Sequence, residues 1–416
     1  MTAPTHHRDA VEVLGPWLMN KGDELMLRAV HERLGDRATL AVSTDLKADG
    51  IAGLPELPRI AWAPTAQDVR ETVAARSLAR AASNVKRAVA MPLTPRKLLL
   101  RKGLCPGRAV RAMLDCSGFA YGDQWNAERV VRRTRYFADL RRRGVKLVML
   151  PQALGPFEKP DVREATQAMF ACFDFVYARE AESLRHVLGC GVPAEKAAAV
   201  PDVSHLLTGP APGPADAAAW AGRVAIVPNA RMTDRTDPAV AGRYLDFLAL
   251  SIAAVRERNL EPVILLHETN DDALLAELLE RVPEKPRVVD EDGLTTKGIL
   301  KCCYANIGSR YHSLVSSLSS ATPTLGTSWA HKYDELFEEY GCAELLISPS
   351  LDDDDLRERM NAFLWDGTNA ALRESLRAPA EAQADKVRAM WDHVEELIGG
   401  DLAARPRPRE QAGAAS

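Results

Sequence analysis

The chain lacks any run of eighteen apolar residues, so nothing in it reads as a membrane-spanning helix. Its first residues, Met1 to Asp9, are polar and carry no signal-peptide core, which points to the cytoplasm. Cysteine is sparse and awkwardly placed: seven residues, an odd count, with no C-x-x-C pair, argue against both a disulfide framework and a zinc ribbon. Adjacent Cys302 and Cys303 precede a strand and read as core. The dinucleotide fingerprint G-x-G-x-x-G is absent. No clustered ligands suggest a metal. A net charge of −4 makes no global case for nucleic-acid binding. What remains is ordinary for a globular chain, 46% hydrophobic and 26% charged, and 416 residues suffice for two domains with full cores.

The most informative stretch runs from Lys301 to Tyr340 and centres on G-S-R-Y-H-S, Gly308 to Ser313. Tyr304 to Gly308 reads as a short buried strand, and Leu314, Val315 and Leu318 recur at helical spacing. Arg310, Tyr311 and His312 thus fall where a strand passes into a helix, the edge at which open α/β sheets bind ligands. A second such unit follows, from Thr322 through Gly326, Ser328 and Trp329 to His331 and Lys332. Two neighbouring loops then hold Arg310, His312, His331 and Lys332, a set suited to a small, multiply charged anion. Each residue also has a bland reading: an arginine at a strand end often only pairs with a carboxylate, and a lone histidine is often structural.

Elsewhere strands alternate with helices, as in a mostly parallel sheet. Val11 to Leu14 leads into Asn20, Gly22 and Asp23 and a helix to Leu34. Gly22 allows close backbone approach, while Asp23 reads equally as a helix cap or a ligand contact. Ala112 to Cys116 ends in a glycine-punctuated loop holding Gly118 and Asp123. A helix from Ala127 to Arg143 precedes the buried strand Val145 to Leu150, and Phe175 to Ala178 is next, with Arg179 opening a helix. A Gly-Pro-Ala shift after Thr208 marks the domain boundary. A second series begins at Val224, with Asn229, Arg231, His267 and Glu268 on its strand-end loops. This gives an N-terminal domain over 1–208, a second over 209–368, a helical segment over 369–400 and a disordered tail over 401–416. The segment 69–111 stands apart as a basic insertion, with eleven Lys or Arg against Glu71 alone. Leu78, Ala82, Val85 and Val89 give it an apolar helical stripe. It reads either as a solvated face or as a surface for an anionic membrane leaflet.

With those residues in place, the chain resembles the polysaccharide pyruvyl transferase family along nearly its whole length. The resemblance is carried by G-P-W-L-M-N-K-G-D-E, D-C-S-G-F-A-Y-G-D, P-Q-A-L-G-P-F, A-R-E-A-E-S-L, P-D-V-S-H-L-L, S-R-Y-H-S-L-V-S-S-L and T-P-T-L-G-T. It implies an α/β fold of two Rossmann-like domains facing a cleft, like that of GT-B glycosyltransferases, with the C-terminal helix available to pack back across both. It also implies transfer of a pyruvyl group from phosphoenolpyruvate to a sugar diol as a ketal, in cell-surface polysaccharide or glycan biosynthesis. No cofactor is needed beyond that donor.

On this resemblance His312, Arg310 and Lys332 are the expected catalytic residues. Arg310, Tyr311, Lys332, Arg231, His267 and Ser328 are expected on the donor side, and Asn20, Gly22, Asp23, Gly118 and Asp123 on the acceptor side. Phosphate and carboxylate call for guanidinium and ammonium partners, and imidazole suits proton transfer near neutral pH. Family members often carry an arginine directly at the end of the second domain's first strand. Here the chain reads Pro228-Asn229-Ala230-Arg231, which leaves open whether Arg231 reaches the donor. The acceptor, a sugar or lipid-linked glycan, would place the protein at the inner face of the membrane. Two other readings share the fold: a glycosyltransferase using a nucleotide sugar, and a catalytically silent binding protein. Many retaining glycosyltransferases carry two glutamates eight residues apart, and no such pair occurs between Glu261 and Asp352.

Overall fold

The computed structural model describes residues 9–15, 21–42, 54–61, 90, 93–210 and 214–399. Two parallel sheets form its two domains. The first contains β1 (Ala10–Leu14), β2 (Thr39–Val42), β3 (Arg59–Ala61), β4 (Leu104–Pro106), β5 (Val110–Asp115), β6 (Lys146–Gln152), β7 (Phe175–Ala178) and β8 (Ala197–Ala199), in the order β4-β3-β2-β1-β5-β6-β7-β8. The second contains β9 (Arg223–Val227), β10 (Glu261–Leu265), β11 (Arg287–Val289), β12 (Ala305–Gly308) and β13 (Thr324–Gly326), in the order β11-β10-β9-β12-β13. The central strands are apolar because helices cover both faces: in β6 every residue but Lys146 is buried.

Each sheet reverses its strand order once, between β1 and β5 and between β9 and β12. The carboxyl ends of strands flanking such a reversal form a crevice that no crossover helix fills. The two crevices face each other and supply most of the candidate site.

Contacts between the domains gather at the start of the helix Lys21–Leu34. The Lys21 N–H donates to the His267 carbonyl at 3.3 Å, and Lys21 Nζ lies 2.8 Å from Asp290. Glu24 accepts from the Gly293 N–H at 2.9 Å, and Arg28 lies 3.6 Å from Asp292. Glu335 accepts from the Glu182 N–H at 3.1 Å, capping the helix Ala181–Gly189 from the other domain. The C-terminal helix Arg377–Ile398 spans both domains. Leu376 and Ala380 at its start pack with Phe337 and Tyr340, while Val387, Met390, Trp391, Val394 and Ile398 enter the core under β1, β5 and β6. The helix Pro238–Glu257 is long and apolar enough to cross a bilayer, yet Tyr244, Phe247, Leu248 and Val255 on it are core residues of the second domain.

One expectation meets a different outcome in part. The end of the segment read as a basic insertion belongs to the first sheet: β4 and the start of β5 lie within it. A three-residue edge strand is too short to show a period, so the sheet's reach there is invisible in sequence. Several of its cations are also structural, since Arg96 pairs with Asp9 at 2.7 Å and Arg111 donates to the Gly399 carbonyl at 3.1 Å. The apolar stripe Leu78, Ala82, Val85 and Val89, and the tail 401–416, lie outside the described residues.

Candidate active site

The cleft between the domains has a volume of about 190 Å³. Asp23, Gly118, Phe119 and Arg179 line it from the first domain. Asn229, Arg231, His267, Arg310, Tyr311, His312, Trp329, Lys332 and Tyr333 line it from the second. Every one of these stands on a strand-end loop or the first turn of the helix after it.

The loop after β12 is held by a buried network. The Ser309 carbonyl accepts from Asn229 Nδ2 at 2.7 Å and from the Tyr333 hydroxyl at 3.0 Å, and its N–H donates to Val227 at 3.1 Å. That fixes Arg310. Its guanidinium donates to both oxygens of Asp271, through Nε at 3.1 Å and through Nη2, and its Nη1 pairs with Glu268. Asp271 is fully buried and also accepts from the Ala230 N–H at 2.9 Å. Burial pushes the Asp271 carboxyl above its ordinary range, with Arg310 opposing. Arg310 therefore reaches the cleft with much of its charge already compensated.

Lys332 is different. Its Nζ lies 4.7 Å from the ring centre of Trp329, 5.1 Å from Phe119, 5.3 Å from Tyr311 and 5.6 Å from Tyr333. Such a cage attracts a cation but gives it no acceptor. Burial, then the charge of Arg179, pull the Lys332 ammonium down to about 7, with Glu180 opposing. It is the group in the cleft best placed to gain from an incoming anion.

His312 faces the first domain. Its Nε2 lies 3.3 Å from Asp202 Oδ2, close enough for an ion pair but without hydrogen-bond geometry. A Cβ on Gly22 would run into the same ring at Nδ1. Asp202 also receives Arg179 Nη1 at 3.3 Å and the Ser204 N–H at 2.9 Å. Despite the cost of complete burial, His312 and Arg179 hold its carboxyl well below the ordinary range. Arg179 stacks over the Tyr311 ring at 4.1 Å. Burial, then Lys21, His312 and Arg310, hold the His267 imidazole well below its ordinary range, so it stays neutral.

The structure brings Arg310, Tyr311, His312, Lys332, Arg231, His267, Asp23 and Gly118 together around one cleft, with Gly22 against His312. Arg231 is part-exposed and pairs with Asp234 at 2.7 Å on its own turn. Ser328 is half-buried on the neighbouring loop and is not a lining residue. Asp123 stands apart: its carboxylate accepts from the Glu158 and Lys159 N–H groups at 2.8 and 3.2 Å, closing a turn. Asn20 lies outside the described residues. Arg179 and Asp202 enter the site without having been singled out from sequence, although both lie in family-like motifs at strand ends, A-R-E-A-E-S-L and P-D-V-S-H-L-L.

Two parallel-sheet domains with a charged cleft between their strand ends define a GT-B-like protein. The likeness extends to Anabaena Alr3699/HepE in complex with UDP-glucose, with a TM-score of 0.55 at 13% identity over 94% of this chain and 99% of that one. It extends also to Arabidopsis thaliana UGT89C1 complexed with quercetin, with a TM-score of 0.54 at 13% identity over 94% and 100%. Within that fold the chain belongs to the polysaccharide pyruvyl transferase family, whose model matches residues 20–331. The amylovoran biosynthesis protein AmsJ of Erwinia amylovora is 25% identical over 238 residues, a match that spans 52% of this chain and 57% of that protein.

Proposed function

We propose that the chain transfers the pyruvyl group of phosphoenolpyruvate to two hydroxyls of one sugar, forming a ketal during glycan biosynthesis. The observation that carries this reading is the gathering of Arg310, Arg179, Arg231 and Lys332 with His312 around one cleft, Lys332 having no hydrogen-bond partner among the described residues. A donor bearing both phosphate and carboxylate needs several cations close together, and guanidinium and ammonium groups match its oxygens.

In this mechanism Lys332 and Arg310 hold the donor's two anionic groups. His312 gives a proton to the methylene carbon, turning it into a methyl group as the neighbouring carbon becomes cationic. A sugar hydroxyl adds there and returns its proton to His312. Phosphate then leaves, the second hydroxyl closes the ketal, and the second proton departs with phosphate. A lipid-linked acceptor would bring the protein to the cytoplasmic face of a membrane. Exposed Lys97, Arg101 and Lys102 beside exposed Leu93 and Leu98 support weak contact with anionic lipid there, which co-sedimentation with anionic vesicles checks.

The test is incubation with phosphoenolpyruvate and candidate glycans. Phosphate release matched by a glycan mass gain of one pyruvate ketal is expected. Sugar transfer from a UDP-sugar, with UDP released and phosphoenolpyruvate untouched, would overturn the reading in favour of a glycosyltransferase using a nucleotide sugar.

A further inference from the structure

We propose that Asp202 is the positioning residue of His312: its carboxylate holds the imidazole by Nε2 and leaves Nδ1 as the nitrogen that exchanges protons with substrate. The proposal rests on His312 being the acid/base group of the transfer described above.

Three observations carry it. First, Asp202 is wholly buried, and its two oxygens divide their work. Oδ1 caps the short helix Val203–Leu206 through the Ser204 N–H, while Oδ2 faces both Arg179 Nη1 and His312 Nε2 at 3.3 Å. Second, His312 Nε2 is itself buried, which keeps substrate from it, and lies 3.3 Å from the Asp202 carboxylate. Among the described residues the carboxylate is the acidic group paired with that nitrogen. Third, the opposite nitrogen lies along the Gly22 backbone, where the absence of a side chain leaves the ring its place.

A buried carboxylate facing one ring nitrogen favours a proton there and so sets the tautomer of the neutral ring. With Nε2 protonated toward Asp202, Nδ1–H of the imidazolium is the proton delivered to the donor's methylene carbon. Nδ1 of the resulting neutral ring then accepts the proton of the attacking hydroxyl. The ring never needs to turn over between the two steps. His312 belongs to the second domain and Asp202 to the first, so this arrangement exists only when the domains are in contact.

The experiment is nitrogen NMR of histidine-labelled full-length protein at alkaline pH, with the His312 signals assigned by their loss in His312→Gln. Wild type should show Nε2 protonated and Nδ1 bare. Asp202→Asn keeps an oxygen for the Ser204 cap but removes the charge, and should move His312 to a mixed or Nδ1-protonated form. The same variant should lower kcat roughly 10–100-fold with the donor KM nearly unchanged. A wild-type His312 protonated at Nδ1 overturns the proposal, as do unchanged His312 shifts in a folded Asp202→Asn protein. If the Asn variant does not fold, the wild-type spectrum alone decides. If the wild type performs no pyruvyl transfer, the tautomer still decides the Asp202 assignment while the function falls separately.

Discussion

At the scale of single residues, Lys332 carries the sharpest consequence. A lysine in the unfolded chain keeps its proton up to about 10.5, whereas folded Lys332 releases it at about 7. Between those values the unfolded state binds more protons, so stability rises with pH across the window and the full penalty lies below about 7. The difference is worth on the order of 3–5 kcal/mol against the fold when the ammonium is charged. Lys332→Met should therefore raise the melting temperature at mildly acidic pH, with the gain fading toward pH 10, and should abolish donor binding. A variant that is more stable yet binds no donor marks a group kept for function at a cost in stability. Unchanged donor affinity in a calorimeter would remove Lys332 from the donor site. Arg310 behaves otherwise, because Asp271 and Glu268 already face it. Arg310→Ala leaves two carboxylates without their partner and should cost about 3–5 kcal/mol of stability along with donor affinity. Thermal melts and donor titration of the same preparation measure both losses.

At the scale of elements, the helix Lys21–Leu34 belongs to the first domain but begins against the second. Its second residue lies under the His312 ring. Gly22→Ala must push the ring or the helix aside, an overpacking expected to cost about 1–3 kcal/mol. Because the displaced group is the proposed acid/base residue, kcat should fall far more than this loss of stability suggests. A folded Gly22→Ala protein of normal turnover would show that His312 has room to move without consequence. This contact was only half legible in sequence. The apolar runs of β1, β5, β6, β7, β9, β10 and β12 announce buried parallel strands, and glycines and cations at their carboxyl ends announce ligand loops. The short strands β3, β4 and β8 show no period and give no such sign. Asp202 and Arg179 stayed hidden for a different reason. Each opens or caps a helix, a sufficient local account, and nothing local tells that β7 and β8 end opposite β12 across a domain boundary.

At the scale of the whole molecule, the site exists only while two sheets stay apposed, and the C-terminal helix ties them. It starts among Phe337 and Tyr340 of the second domain and ends with Trp391, Val394 and Ile398 beneath the first sheet. Glu395 adds a buried tie, accepting from Arg37 Nη2 at 2.7 Å and pairing with Arg33 at 2.5 Å. Among the described residues Trp391 is the largest wholly buried side chain. Trp391→Ala removes that volume where rigid strands border it and should cost about 3–5 kcal/mol. The loss should not fall evenly. The second domain keeps its own core of Tyr244, Phe247, Ile264 and Ile307, which the helix end does not touch. Hydrogen exchange should therefore quicken in β1, β5 and β6 and stay slow in β9 and β12. Turnover should drop with it, since loosening the first domain withdraws Asp202, Arg179 and Gly22 from His312. Equal acceleration of exchange in both sheets would mean that the domains unfold as one unit and that the helix is a shared core rather than a tie.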